Sequence, residues 1–241
     1  MDNKIFTNID NIKNVAKRLN YQVFESNVRN FNLNIWCIRS KYRTSGNFDD
    51  LMVMFYKDLS NKWQFNTFVI TTDPSDISLI QSLNKLGTAI VYNGQYPKAW
   101  KLGLHKGVYE ALVQRGNLTV IRDFNKDIIL DIPSTDTLKI WGKLPDCKVE
   151  IKRTNNRYIE NYLINGKIKY TLETGNDFGI NCHRASAWKI LQKVGLYSQG
   201  CIVHQNPYRY NNEFIPMIKE SVKLWGNDFT LTLVHEEEFY H

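Results

Sequence analysis

The stretch Asn156–Glu173, NRYIENYLINGKIKYTLE, sets the fold class. Both halves are rich in β-branched and aromatic residues, and the Asn165–Lys167 segment between them, NGK, carries a tight-turn pair. A β-hairpin is the expected result. Outward from it lie similar short runs: LMVMFYKD (51–58), KWQFNTFVITTD (62–73), GTAIVY (87–92), NLTVIRDF (117–124), TLKIWGK (137–143) and CKVEIKR (147–153). Gly, Asn, Asp and Pro separate them, and DLSN (58–61) supplies a second hairpin turn. This spacing predicts a mainly β chain with a few helices, α+β in class, built as an antiparallel β-sandwich or partly open barrel.

Helical spacing shows at the two ends. Ile9, Ile12, Val15, Ala16 and Leu19 recur on one face after Thr7 and Asn8, either of which can cap a helix. Near the C-terminus, Phe214, Met217, Ile218, Val222 and Trp225 share a face, with Pro216 in the first turn and Gly226 as a stop. A closing strand alternates Phe229, Leu231 and Leu233, and HEEEFYH (235–241) reads as a solvated tail. The domain expectation is an N-terminal helical cap over residues 1–45 and a β-rich catalytic domain over 46–241, or a single domain throughout.

Composition narrows the function classes. A chain of 241 residues can bury a sizeable core, and its 43% hydrophobic and 23% charged content is that of a soluble globular protein. The net charge of +7 favours anionic partners such as cell-wall polymers. It is spread along the chain without a polybasic run, so a nucleic-acid partner is not expected. No signal peptide and no apolar run of membrane-spanning length are visible, so synthesis and retention in the cytoplasm are expected unless another agent delivers the chain outside. Four cysteines without a disulfide spacing fit reduced thiols.

The chemistry concentrates in FGINCHRASAWKILQKVGLYSQGCIVHQNP (178–207), which sets His183 eighteen positions before Cys201. A thiol near an imidazole can lose its proton to it and become a nucleophile. Gly200 lets the backbone turn tightly, so that amides around Cys201 can face a developing oxyanion. Ser198 is better placed to hold that loop than to react. Two alternatives stand beside this reading. Cys201 and His183 can each be an ordinary buried residue, and Cys182, His183, Cys201 and His204 together offer zinc-ligand types. Strand alternation puts Cys182 and His183 on opposite faces, which disfavours a shared ion, so neither metal nor cofactor is expected.

A His followed by serine–x–glycine–cysteine resembles the catalytic motif of the L,D-transpeptidase (YkuD-like) family, which acts on peptidoglycan stem peptides from a mostly β fold. The resemblance implies Cys201 as nucleophile, His183 as general base, and Gly200 with Cys201 as oxyanion donors. The chain departs from the family at Arg184, where Gly usually follows the His. It departs again at Gln199, which replaces a His, and at Val203, which replaces an Arg and is followed by His204. More widely, TTDPSD, GTAIVYNGQY, AWKLGLHKG, ALVQRG, IRDFNKD, FGINCHRA, SQGCIV and FTLTLV resemble a largely uncharacterised protein family of tailed phages of Bacteroidota, including crAss-like phages. That implies a phage-encoded wall enzyme, made in the host cytoplasm and then released at lysis or carried in the virion beside other virion proteins. The alternative is a non-catalytic virion or wall-binding protein on a degenerate version of the fold.

Four further residues are candidates for substrate contact. His204 and Arg184 belong to the motif. His105, in GLHKG, either lines the groove or is a loop histidine in water. Asp73, restricted by Pro74, is a candidate partner for a peptide amine. RDFNKD (122–127) has calcium-loop alternation but lacks the loop's Gly and Glu, and reads as a solvated turn.

Overall fold

The computed structural model describes residues 3–42, 44–123, 125–130 and 132–240, and the chain is mainly β with a few helices. Its strands are β1 (Asn34–Arg39), β2 (Asp50–Lys57), β3 (Trp63–Thr71), β4 (Ala89–Val91), β5 (Gly94–His105), β6 (Tyr109–Gln114), β7 (Leu118–Arg122), β8 (Cys147–Arg153), β9 (Arg157–Ile164), β10 (Lys167–Gly175), β11 (Cys182–Arg184), β12 (Ile202–His204) and β13 (Phe229–His235). Eight close into a barrel in the order β1-β13-β5-β6-β11-β12-β3-β2, and the other five form an open sheet, β4-β7-β10-β9-β8.

The opening stretch forms the β9–β10 hairpin. Ile164 pairs with Lys167 across Asn165 and Gly166, whose φ values of 51° and 71° give a turn matched to the strand twist. Asp58–Lys62 joins β2 to β3, with Lys57 opposite Trp63. Two pairs depart from the expected antiparallel pattern: β1 with β13, and β11 with β12, run parallel. Local alternation does not reveal strand direction, because both arrangements place alternate residues on alternate faces. TLKIWGK is also corrected. Ser134 accepts from Thr137 N at 3.0 Å and caps a helix over Thr135–Trp141, with Leu138 buried beneath the open sheet.

Helix α1 (Asn3–Phe6) and helix α2 (Ile9–Leu19) lie outside the barrel. Asn8 caps α2 by accepting from Asp10 N and Asn11 N, and Ile12, Val15 and Ala16 pack on Trp36, Ile38, Val53 and Phe55. β1 itself sits between β13 and β2 in the barrel wall, so residue 45 does not separate a cap from a body. The C-terminal helix, Ile215–Trp225, follows the expected face except at Trp225, which is 40% exposed. The last residues are not a free tail. Glu236 is buried and accepts from Lys41 N at 2.7 Å, and the Phe239 ring meets Phe6 at 4.9 Å. Asn125 and Asp127 bond one another on the surface, while Asp123 is buried. Among the described residues no helix is long and apolar enough to cross a membrane.

Candidate active site

Strands β11 and β12 are three residues each and parallel, with Cys182 opposite Ile202, His183 opposite Val203 and Arg184 opposite His204. Alternation then sorts the motif. Cys182 and Ile202 enter the barrel core, while His183 and, one residue ahead of the strand, Cys201 share the other face. They are diagonal neighbours, with Cα atoms roughly 8 Å apart by strand spacing and rise. The chain between them returns through a loop that Ala185 and Gln205 stitch down, by Ala185 N to His204 O at 2.9 Å and Gln205 Nε2 to Leu191 O at 2.8 Å.

His183 is held firmly. Its Nδ1 lies 2.9 Å from the Arg184 carbonyl, to which the Tyr109 hydroxyl also donates at 3.2 Å. A carbonyl oxygen only accepts, so Nδ1 carries the ring proton and Nε2 keeps its lone pair. The Arg184 guanidinium lies 4.0 Å from the centre of the Tyr109 ring. Burial, then His105, holds the His183 imidazole down at about 4.

His105 joins the site rather than the solvent. It ends β5 opposite Tyr109, is buried, and stacks on His183 with centroids 4.1 Å apart. Asn181 was not singled out in the sequence, yet it connects every part. Its Oδ1 accepts from Gln114 N at 3.0 Å, so its Nδ2 is the group that donates to His105 Nδ1 at 3.1 Å. Its main-chain N–H donates to the Cys201 sulfur at 3.4 Å. The signal for Asn181 was its place two residues before His183, on the same face; Tyr109 becomes visible only once β6 is placed beside β11.

Cys201 is partly exposed, whereas Cys37 and Cys182 are fully buried. Its thiol meets the Gly179 carbonyl at 3.7 Å, so its hydrogen bonds go to backbone rather than to an imidazole. Burial pushes the thiol above its ordinary value, against smaller opposing effects of the Asn181 N–H and Lys106. At neutral pH the site therefore holds an uncharged thiol and uncharged imidazoles. Alkylation of Cys201 by iodoacetamide is expected to climb about tenfold per pH unit from 7 to 9 without levelling off, because only the thiolate reacts. Peptide mapping after timed alkylation checks this, and a plateau below pH 8 would contradict the neutral pair.

Ser198 is fully buried and holds the loop, as expected. Its hydroxyl faces the carbonyls of Asp73 (2.8 Å) and Cys201 (2.9 Å) and accepts from Gly200 N at 3.3 Å. Its own carbonyl accepts from Ser75 N at 3.0 Å and Ser78 Oγ at 2.9 Å. Gly200 adopts φ +112°, but its N–H is committed to Ser198 and so does not face a substrate. This corrects its assignment as an oxyanion donor.

Two predicted contact residues are placed elsewhere. His204 points to the opposite face from His183, is 1% exposed, and packs against Phe68, Tyr210 and Phe214 with Nε2 3.5 Å from Cys182 Sγ. Burial holds its imidazole down at about 3. It is a core residue. Asp73 is buried in an ion pair with Arg39 at 3.0 Å, and burial raises its carboxyl above the usual range while Arg39 opposes the shift. Only its main-chain oxygen reaches the loop. The zinc set is likewise divided between the two faces of β11 and β12. A cavity of about 390 Å³ lies away from the thiol, lined by Tyr21, Arg39, Leu233 and Glu238 among others, and contains none of the catalytic candidates.

No protein-family model, no curated protein and no solved structure matches the chain.

Proposed function

We propose that the chain is a phage-encoded cysteine acyl-transfer enzyme acting on peptidoglycan stem peptides, a wall peptidase released at lysis or carried in the virion. One observation carries the reading. Cys201 and His183 share a face of adjacent strands, and the imidazole's Nδ1 proton is fixed on a carbonyl, which leaves Nε2 as the base. The serine–x–glycine–cysteine resemblance and the positive net charge, suited to an anionic wall, support it.

In the mechanism, the thiol leaves the Gly179 carbonyl by rotation about its Cα–Cβ bond and gives its proton to His183 Nε2 as sulfur attacks the peptide carbonyl. The resulting oxyanion is met by the Cys201 N–H. Collapse expels the amine, which takes the proton from His183, and a thioester remains on Cys201. Water attacks the thioester, with His183 again taking the proton; collapse then breaks the C–S bond, the free acid leaves, and the Cys201 sulfur takes the proton back from His183. His105 and Tyr109 keep the His183 ring in place; the reaction requires no metal or cofactor.

Digestion of purified sacculi by the wild-type chain, with muropeptides resolved by mass spectrometry, tests the reading. New cleaved stem peptides are expected, and an unchanged profile would overturn it. A second reading, a non-catalytic wall-binding protein, is favoured by the thiol's bond to a backbone carbonyl instead of an imidazole. It predicts that intact sacculi retain the protein while the muropeptide profile stays the same.

A further inference from the structure

With the Gly200 N–H bonded to Ser198, the oxyanion of an acyl transfer at Cys201 has one main-chain donor, the Cys201 N–H. His105 overlooks the same place. It ends β5 opposite Tyr109, and its ring meets Asn181 and His183, the two residues beside Cys201 on the neighbouring chain. Asn181 is level with Cys201 in the parallel register, and its N–H reaches the sulfur at 3.4 Å. His183 is the diagonal neighbour. The His105 Nδ1 lies 3.1 Å from Asn181 Nδ2, and its ring centroid lies 4.1 Å from that of His183, with 25° between the planes.

Hydrogen bonds set opposite tautomers on the two stacked rings. Asn181 Oδ1 accepts from Gln114 N at 3.0 Å, so Asn181 Nδ2 is the donor to His105. The His105 Nδ1 therefore accepts, and Nε2 carries that ring's proton. His183 is the reverse: Nδ1 donates to the Arg184 carbonyl at 2.9 Å, and Nε2 keeps its lone pair. Both rings are neutral at pH 7. Burial, then Lys106, lowers the His105 imidazole, as burial, then His105, lowers that of His183. Among the described residues nothing bonds either Nε2, and neither atom is sealed from solvent. One ring thus offers a base, and the ring stacked on it offers an N–H. A neutral imidazole can polarise a carbonyl in this way without giving up its proton.

We propose that His105 Nε2–H is the second oxyanion donor, bonding the substrate carbonyl oxygen as Cys201 attacks and holding it more strongly as negative charge develops there. The inference rests on the acyl-transfer reading for Cys201 as nucleophile, but not on which peptide it attacks. The thiol proton still goes to His183 Nε2 and then to the leaving group. The His105 proton stays on His105 throughout.

Two reactions of the full chain, followed by peptide mapping at Cys201, separate this role from mere support of the His183 ring. p-Nitrophenyl acetate builds an oxyanion: sulfur bonds the acetyl carbon, the ester carbon–oxygen bond breaks, p-nitrophenolate leaves, and His183 passes the thiol proton to solvent. Iodoacetamide loses iodide from a saturated carbon and builds none. His105→Phe keeps a ring against His183 without the N–H. It is expected to slow acetylation about 10²–10³-fold, while alkylation at the same pH changes by less than about threefold. His105→Gln, which returns an N–H close to the former Nε2, is expected to restore acetylation to within about tenfold of the wild type. Loss of both reactions together, loss of neither, a Gln variant as slow as the Phe variant, or a wild-type Cys201 that is not acetylated would overturn the proposal. NMR of the imidazole nitrogens tests it with no substitution at all. His105 should carry its proton on Nε2 and His183 on Nδ1, and a proton on His105 Nδ1 would remove the donor. Acetylation that depends on His105, with sacculi left intact, would retain the donor and refute the wall substrate. Sacculi cleaved equally fast by the wild type and His105→Phe would retain the enzyme and refute the donor.

Discussion

Replacing Cys201 by alanine is expected to lower the release of cleaved stem peptides by about 10³-fold or more, and His183→Ala by about 10²–10⁴-fold. The two losses should not add. Once the nucleophile is gone the base has no proton to take, so the double variant should be no slower than Cys201→Ala alone. Both variants should fold. Cys201 is partly exposed and bonds only backbone groups, and His183→Ala removes a ring whose polar contacts are the Arg184 carbonyl and the Tyr109 hydroxyl. The pH profile adds a test specific to this geometry. His183 acts as a base only while neutral, and burial with His105 beside it keeps it neutral down to about 4. Activity should therefore hold as pH falls from 7 to 5 and decline only below that. A decline centred between pH 6 and 7 in kcat/KM would mean that the working imidazole is not the buried one described.

The sequence made the hairpins visible because their information is local. Asn165 and Gly166 tolerate the left-handed conformation, and the alternation on either side fixes the faces. The helix at Ile9–Leu19 was equally visible from its cap and its stripe. Cys201 and His183 could be paired because alternation and a Ser-x-Gly turn are local as well. What stayed hidden depends on which strands are neighbours. His105 reads as a loop residue between glycines until β5 and β6 fold back beside β11 and stack it on His183. His204 reads as a site residue until the Tyr210–Phe214 turn covers it with rings. Asp73 looks available in TTDPSD because its partner, Arg39, is thirty-four residues away in sequence and only the barrel brings them together. Long-range pairing, rather than residue chemistry, decides which of the candidate side chains lie beside one another.

The position with the least tolerance in the site is Gly200, and Gly200→Ala is expected to be costly for two reasons that act together. Its φ of +112° lies where an L side chain is strained, and a Cβ built there would sit 2.4 Å from the Ala89 carbonyl oxygen. That oxygen cannot easily withdraw, because Ala89 is buried and belongs to β4, paired with Arg122 on β7. Left-handed strain and overpacking together amount to about 3 kcal/mol, which for a chain of this size lowers Tm by roughly 6–12 °C. Gly166→Ala is the matched control. Its φ is +71°, but nothing lies within 4 Å of the added Cβ, so only the backbone strain applies, about 1 kcal/mol. Thermal melting of both variants separates the two contributions, and equal melting temperatures would show that the loop can move away from β4. If it does move, the displaced Gly200 shifts Cys201 relative to the Asn181 N–H and His183, and turnover by the folded fraction should fall by more than tenfold, since a misplacement of about 1 Å is enough for that.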